Sequence, residues 1–182
     1  CGPEQLVDDL AKVIRDVLTQ PRDARQLVID VADMRARMDA EHHADSLWDV
    51  KHLRGGLVDI EFIAQYKQLL HAHDHPEILS TTTAAALAAC RDAGLIEPGV
   101  ADDLLDALLL WQTVQSRLRL TLIKPVTALG GEDAPEALRR AVKGIDGLNF
   151  RSLVTRMQEK AAHTYAQFHT LIEQEAHALQ SS

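Results

Sequence analysis

The chain is 182 residues long, carries a formal net charge of −8, and is 46% hydrophobic but only 4% aromatic. This length buries a substantial core and favours one domain, and the abundance of Ala and Leu over β-branched runs favours helices packed on helices. The negative charge disfavours nucleic acid and anionic membranes as partners, because the long-range field repels phosphate groups.

Cysteine usage, hydropathy and the first residue bear on the cellular setting. Cys1 and Cys90 are too few for a disulfide framework, which favours a reducing, cytoplasmic compartment. No segment offers the roughly 18 apolar residues of a membrane span, so none is predicted. Because Cys1 stands in place of an initiator Met, we expect the chain to be part of a longer polypeptide.

Two helices are predicted before the first long loop. Apolar side chains recur at helical spacing until Pro21 ends the first helix; they are Leu6, Leu10, Val13, Ile14 and Val17. The second helix begins at a box-like cap formed by Asp23 and Gln26, and Arg35 and Arg37 are expected to lie outside its apolar stripe. That stripe consists of Leu27, Val31, Met34 and Met38.

A glycine pair separates the second helix from the third. Residues 46–56 break the helical periodicity and end in Gly55-Gly56, which can adopt backbone conformations closed to other residues. A third helix is predicted over residues 57–70, followed by a polar break at residues 71–76.

The middle of the chain contains two further helical segments. Residues 81–93 form an Ala-rich helix that Gly94 ends in the usual position for a C-terminal cap. Pro98 suits the first turn of a long helix that runs to about residue 122.

The last third of the chain adds two more helices. After a glycine pair at residues 130–131, Asp133 with Glu136 caps a helix to about residue 143, and Asn149 caps the last helix. We therefore expect one all-α domain over residues 1–182, built as an irregular bundle of about seven helices.

The stretch around the glycine pair is the most informative part of the sequence. It combines the cations Lys51 and Arg54 with Gly55-Gly56 at a helix start. Accessible backbone N–H groups, the helix dipole and these cations together suit an anion such as a phosphate. The same spacing also suits a plain tight turn, which is the more common reason for a glycine pair.

Asp59 is the odd residue of the third helix, because a helical wheel places it among apolar side chains. These are Phe62, Ile63, Tyr66 and Leu70. One explanation is an acid stabilised by the helix dipole and paired with Lys51; the other is a carboxylate held beside a cleft shared with another domain. Glu61 and Gln65 lie on a separate polar arc, where a solvated face is the simpler explanation.

A histidine tract raises the question of a metal site. His71, His73 and His75 surround Asp74, but Pro76 pushes His75 towards an extended conformation and no Glu-bearing zinc motif accompanies them. No metal ligand is predicted. A small metalloprotein remains an alternative that zinc titration would test.

The long helix carries polar residues that need explanation. Gln112 and Gln115 fall on its apolar stripe, where their amides require partners in a buried network or an interface. Arg117 and Arg119 lie near the C-terminal end, where cations suit the dipole. The sequence contains no Ser-His-Asp set, common phosphate-binding glycine motif or CxxC, so no catalytic residue is predicted.

The run Lys-His-Leu-Arg-Gly-Gly-Leu-Val-Asp-Ile-Glu-Phe-Ile-Ala-Gln-Tyr, residues 51–66, resembles the helical domain of bacterial glutamine synthetase adenylyltransferase. The resemblance extends upstream through residues 30–38 and downstream through the long and last helices. Lys51, the glycine pair and Asp59 are also similar to the helical domain of the related PII uridylyltransferase. The Glu61-Phe62 and Gln65 continuation favours the adenylyltransferase.

This resemblance implies a single helical domain that follows a nucleotidyltransferase domain absent from this chain. The family joins two such units, one removing AMP from glutamine synthetase by phosphorolysis and one attaching AMP from ATP to a tyrosine. Val58-Asp59, where the first half has Arg-Glu, is similar to the second, C-terminal half. The resemblance implies ATP and magnesium bound mainly by the missing domain, an inactive fragment, and glutamine synthetase, the PII signalling protein and the adjacent domain as partners.

The resemblance also implies roles for individual residues. The loop and helix start would close over the nucleotidyltransferase cleft. Lys51 would contact phosphate, and Asp59 would orient Lys51. The nucleotide-cleft candidates are Lys51, Gly55, Gly56, Asp59 and Glu61, and the supporting or interface candidates are Arg54, Gln65, Gln115 and Arg117. Relatives often carry a small residue or proline in place of Arg54 and Glu in place of Gln115. The competing interpretation is a stand-alone helical module that binds a protein partner and no nucleotide.

Overall fold

The computed structural model describes residues 4–44, 46–121 and 136–181, and the regular elements in these ranges are helical. The α-helices are α1 Glu4–Leu18, α2 Ala24–Glu41, α3 Leu57–His71, α4 Thr83–Asp92, α5 Pro98–Thr121, α6 Glu136–Ala141, α7 Phe150–Phe168 and α8 Gln174–Gln180. A π-helical turn, His169–Glu173, joins α7 to α8 as one rod. The described residues therefore form seven helical rods, which confirms the predicted all-α bundle.

The predicted helix ends follow from local chemistry. Asp23 Oδ1 accepts hydrogen bonds from the N–H groups of Arg25 and Gln26 at the start of α2, and Asn149 Oδ1 accepts one from Ser152 at the start of α7. Gly94 follows α4 with φ of +72°, the left-handed conformation that ends many helices. The predicted glycine loop at 130–131 and the cap at Asp133 lie outside the described residues.

The core forms around α3 and α5. α3 packs against α2, α4, α5 and α7, and α5 also packs against α4, α6 and α7. Trp111 of α5 and Ile60 and Ile63 of α3 have no exposed surface. Burial of each of the two isoleucine side chains stabilises the fold by about 1.5–3 kcal/mol. No helix of the described part is long and apolar enough to cross a membrane.

The structure corrects the predicted orientation of α2. Arg35, expected outside the apolar stripe, is 1% exposed, whereas Met34 of that stripe is 52% exposed. The prediction was wrong because a helical wheel ranks side chains by polarity alone, whereas α2 turns Val28 and Arg35 inward. Arg35 tolerates burial because an ion-pair partner, described below, compensates its charge.

The predicted stripe of α5 is also wrong at Gln112. The buried arc centres on Ala107, Trp111 and Val114, so Gln112 lies at its edge and is exposed, and Gln115 is half-buried. Gln112 therefore reaches solvent and needs no buried partner.

Tyr66 of α3 makes the stability of the fold depend on pH in the alkaline range. The side chain is 4% exposed, and burial, together with Glu175 3.5 Å from its hydroxyl, raises the pKa of Tyr66 from 10.0 to about 12. Unfolded tyrosine loses its proton near pH 10, whereas the folded form keeps it to about pH 12. The unfolded state therefore binds fewer protons in this window, and stability falls as pH rises.

We expect Tyr66→Phe to remove this part of the alkaline destabilisation. The test is urea unfolding, followed by circular dichroism, in steps between pH 10 and 12. Tyr165→Phe, at an exposed tyrosine, is the matched control. Equal pH slopes for Tyr66→Phe and the unmodified chain would contradict the assignment.

Candidate functional site

The loop before α3 folds back on the first turn of that helix. The Gly56 N–H donates to the Leu53 carbonyl at 2.8 Å. The next two amides, of Leu57 and Val58, donate to the carbonyls of Val50 and Lys51 at 2.9 and 3.1 Å. The amides that begin α3 are thus bonded inside the chain, so the loop and the helix start form one unit.

Gly55 occupies the most crowded point of this unit. Its φ is +80°, and a Cβ atom there would lie 1.9 Å from the Ala161 carbonyl oxygen of α7. Its N–H donates to Asp59 Oδ2 at 2.5 Å, and its carbonyl accepts from Trp111 Nε1 at 3.2 Å. A Cβ on Gly56 would lie 2.5 Å from the Val50 carbonyl oxygen. Only glycine fits both positions without movement of the backbone.

The glycine pair therefore forms the tight turn that was one of its two interpretations. The expectation that Gly55 and Gly56 expose their N–H groups to an anion is wrong in this geometry, because both groups have acceptors within the chain. A contribution of these glycines to nucleotide binding stays a prediction, and it would act through the shape of the loop.

Asp59 lies at the centre of the site with no exposed surface. Its Oδ1 accepts a hydrogen bond from Arg35 Nε at 2.5 Å, and Arg54 Nη1 lies 3.9 Å from the same oxygen. Lys51 was the expected partner of Asp59. The Lys51 side chain is exposed, however, and Arg35 is the cation that pairs with Asp59. Asp59 is thus a buried carboxylate that is paired with Arg35, and each of its two oxygens accepts a hydrogen bond.

Arg35 joins three parts of the fold through its guanidinium group. Besides Asp59 of α3, it donates from Nη2 to the His52 carbonyl in the loop at 3.1 Å and lies 3.4 Å from Asp39 of its own helix. Sequence reasoning missed this residue. The segment 30–38 that carries the family resemblance contains it, but nothing local marks one arginine of α2 for burial.

Arg54 connects the other side of the loop to the last rod. Its guanidinium forms an ion pair with Glu173 of the π-helical turn and lies 4.8 Å from the Tyr165 ring centre and 5.2 Å from that of Phe168. Burial lowers the pKa of Arg54, but the carboxylates of Asp59 and Glu173 outweigh burial and raise that pKa. Within this chain, Arg54 fixes the loop against α7.

The remaining predicted residues lie at or near the surface. Lys51 is exposed on the outside of the loop, Gln65 is exposed on α3, and Glu61 is partly buried one turn after the helix start. Gln115 is half-buried and Arg117 exposed in the last turns of α5. The structure thus brings Gly55, Gly56 and Asp59 together, with Arg54 close to Asp59 and Lys51 exposed on the same loop.

The histidine tract does not assemble into a metal site in the described part of the chain. There, no three potential ligands among His, Cys, Asp and Glu side chains come together. His73 Nδ1 lies 3.0 Å from the Thr19 carbonyl oxygen, and His75 Nδ1 lies 3.1 Å from Glu77 Oε1. Burial lowers the pKa of His71.

The fold and the site define an all-helical domain in which a buried Arg–Asp pair holds a glycine loop against the helix core. The family model described as GlnD PII-uridylyltransferase matches residues 29–181, and the chain belongs to this family.

Curated relatives give a narrower comparison. The chain is 40% identical over 174 residues to the bifunctional glutamine synthetase adenylyltransferase/adenylyl-removing enzyme of Rhodopseudomonas palustris strain TIE-1, covering 94% of the chain and 17% of that protein. It is 38% identical over 167 residues to the protein of the same description from Bradyrhizobium diazoefficiens, covering 90% of the chain and 16% of the relative. The chain thus spans about one sixth of the length of these relatives. No solved structure matches it.

Proposed function

We propose that this chain is the helical domain of a glutamine synthetase adenylyltransferase and works beside a nucleotidyltransferase domain of the same polypeptide. The observation that carries the proposal is the 40% identity over 94% of the chain to the Rhodopseudomonas palustris enzyme. The domain supports ATP-dependent adenylylation of glutamine synthetase, in control of nitrogen assimilation. Val58-Asp59 favours the C-terminal half, which attaches AMP.

The proposal includes a division of labour between this chain and the rest of the polypeptide. ATP and magnesium are bound mainly by the nucleotidyltransferase domain, and this chain by itself is inactive. Glutamine synthetase, the PII signalling protein and the catalytic domain are its partners. Within this scheme the helical domain contributes to closing the nucleotide cleft, to docking a partner, or to both.

The geometry supports Lys51 as the residue that faces the nucleotide. Lys51 is exposed, and the loop that carries it is held by the Arg35–Asp59 pair and by Trp111. A cation on a fixed loop contacts a phosphate without first losing the freedom of a mobile segment. Asp59 acts from inside the domain by holding the loop, and so orients Lys51 without touching the ligand.

Lys51→Ala in the intact adenylyltransferase tests this role. Loss of a charge-assisted phosphate contact is expected to raise the KM for ATP by about tenfold to a hundredfold. The urea midpoint should not change, because the Lys51 side chain is exposed. Lys143→Ala, at another exposed lysine, is the matched control and should leave KM unchanged. Equal KM values for the two variants would contradict a contact between Lys51 and the nucleotide.

Calorimetric titration of the chain separates cleft closure from docking. The titrants are glutamine synthetase, PII, and ATP with magnesium. Binding of a protein without nucleotide favours a docking domain, and nucleotide binding lost in Lys51→Ala favours the cleft. The alternative function, an interaction module that binds protein but no nucleotide, is favoured by the exposed apolar side chains of α1. It would gain support if the intact polypeptide transferred no AMP.

A further inference from the structure

The first helix leaves an apolar surface uncovered. Six apolar side chains of α1 are each between 48 and 58% exposed. We call this set the α1 stripe: Leu6, Val7, Leu10, Val13, Ile14 and Val17. The stripe stands apart from the core, because α1 contributes none of the buried residues of the described bundle.

The α1 stripe has the pattern of a helix that packs on a folded surface. At 100° per residue, its side chains cover an arc of about 120°, the width typical of a helix on a globular core. Asp9 and Asp16 border one edge, so the stripe ends at a charged rim. A 15-residue helix has little stability in water unless such a face is covered. The stripe therefore indicates a contact that the described residues of the bundle do not supply.

A second copy of the chain is a poor occupant. The stripe extends over only about two heptads, fewer than the three or four that define a coiled coil, and it is wider than a coiled-coil seam. The occupant is better sought in the rest of the polypeptide, because more than four fifths of the relatives' length lies outside this chain.

The two comparisons differ in how they treat α1. The family model begins at residue 29, after α1, whereas the match to the Rhodopseudomonas palustris enzyme covers 94% of the chain and so includes at least part of α1. The family-model match therefore leaves α1 out, whereas the adenylyltransferase match includes at least part of it. We infer that the α1 stripe docks on the nucleotidyltransferase domain of the same polypeptide and fixes that domain relative to the bundle. This inference rests on the proposed function.

Hydrogen exchange followed by mass spectrometry tests the docking without any substrate. In the intact polypeptide, the α1 amides should exchange at least about tenfold more slowly than in the 182-residue chain, because the stripe is covered. The double variant Leu10→Gln/Val13→Gln should abolish that difference. In the 182-residue chain the same variant should leave the urea midpoint of the bundle unchanged. Leu120→Gln, at a leucine 87% exposed on α5, is the matched control and should keep the protection.

Three results would overturn the inference. Equal exchange of α1 in both polypeptides would show that the stripe is not covered. Protection that rises with protein concentration and coincides with dimers in sedimentation would identify a second copy as the occupant. An intact polypeptide without a nucleotidyltransferase domain would refute the inference and the proposed function together. If α1 is not covered, Lys51→Ala can still raise the KM for ATP, so a failure of this inference is distinguishable from a failure of the proposed function.

Discussion

Replacing Arg35 by methionine is expected to lower the free energy of unfolding by about 3–5 kcal/mol, the usual cost of removing one partner of a buried ion pair. The substitution leaves the Asp59 carboxylate without its 2.5 Å partner in a place with no exposed surface. It also removes the donor to the His52 carbonyl. Urea unfolding of the chain, followed by circular dichroism, measures the loss.

Two further variants separate the charge from the packing. Arg37→Met makes the same chemical change at an exposed arginine of the same helix and should shift stability by no more than about 0.5 kcal/mol. The double variant Arg35→Met/Asp59→Asn removes both charges, so it should be less destabilised than the sum of the single variants. Additive effects would contradict a direct coupling between the two side chains.

Gly55→Ala is the second substitution with a large expected effect. The left-handed conformation at φ +80° costs alanine about 1–2 kcal/mol, and the clash with the Ala161 carbonyl adds about 1–3 kcal/mol. We therefore expect the free energy of unfolding to fall by about 2–5 kcal/mol. Because the loop must move away from α7, the hydrogen bond from Trp111 to the Gly55 carbonyl should also weaken.

Gly94→Ala is a matched control for the backbone part of this effect. Gly94 has a similar φ of +72°, but a Cβ atom there would meet nothing within 4 Å. Its substitution should cost only the conformational part, about 1–2 kcal/mol. Equal losses at the two glycines would contradict the close approach of the loop to α7. Of these two variants, only Gly55→Ala should also raise the KM for ATP in the intact polypeptide, because Gly55 shapes the loop that carries Lys51 and Gly94 does not.

The family could be predicted from the sequence because the motif that identifies it is one continuous stretch of residues. Residues 51–66 hold the glycine pair, the acid and the helix start at fixed spacing, so their order is meaningful without three-dimensional information. The family model that matches residues 29–181, together with the 40% identity to an adenylyltransferase, confirms the assignment. The roles of Lys51 and Glu61 stay predictions, since they concern a nucleotidyltransferase domain that only the resemblance implies.

Local rules of the sequence by themselves determined where the helices begin and end. Asp23, Asn149 and Gly94 act on backbone groups within three or four residues, so their effect needs no tertiary contact. Helical periodicity also identified α1. It did not predict that the apolar side of this helix would be exposed.

Only the tertiary structure decided which charges are inside. Arg35 and Asp59 lie 24 residues apart in the sequence, and Arg54 and Glu173 lie 119 apart. Neither pairing can therefore be predicted from the local spacing of polar and apolar residues. The same holds for the π-helical turn that presents Glu173. A charged side chain is stable in a core only when the fold brings it an opposite charge and hydrogen-bond partners, and that condition depends on the whole chain.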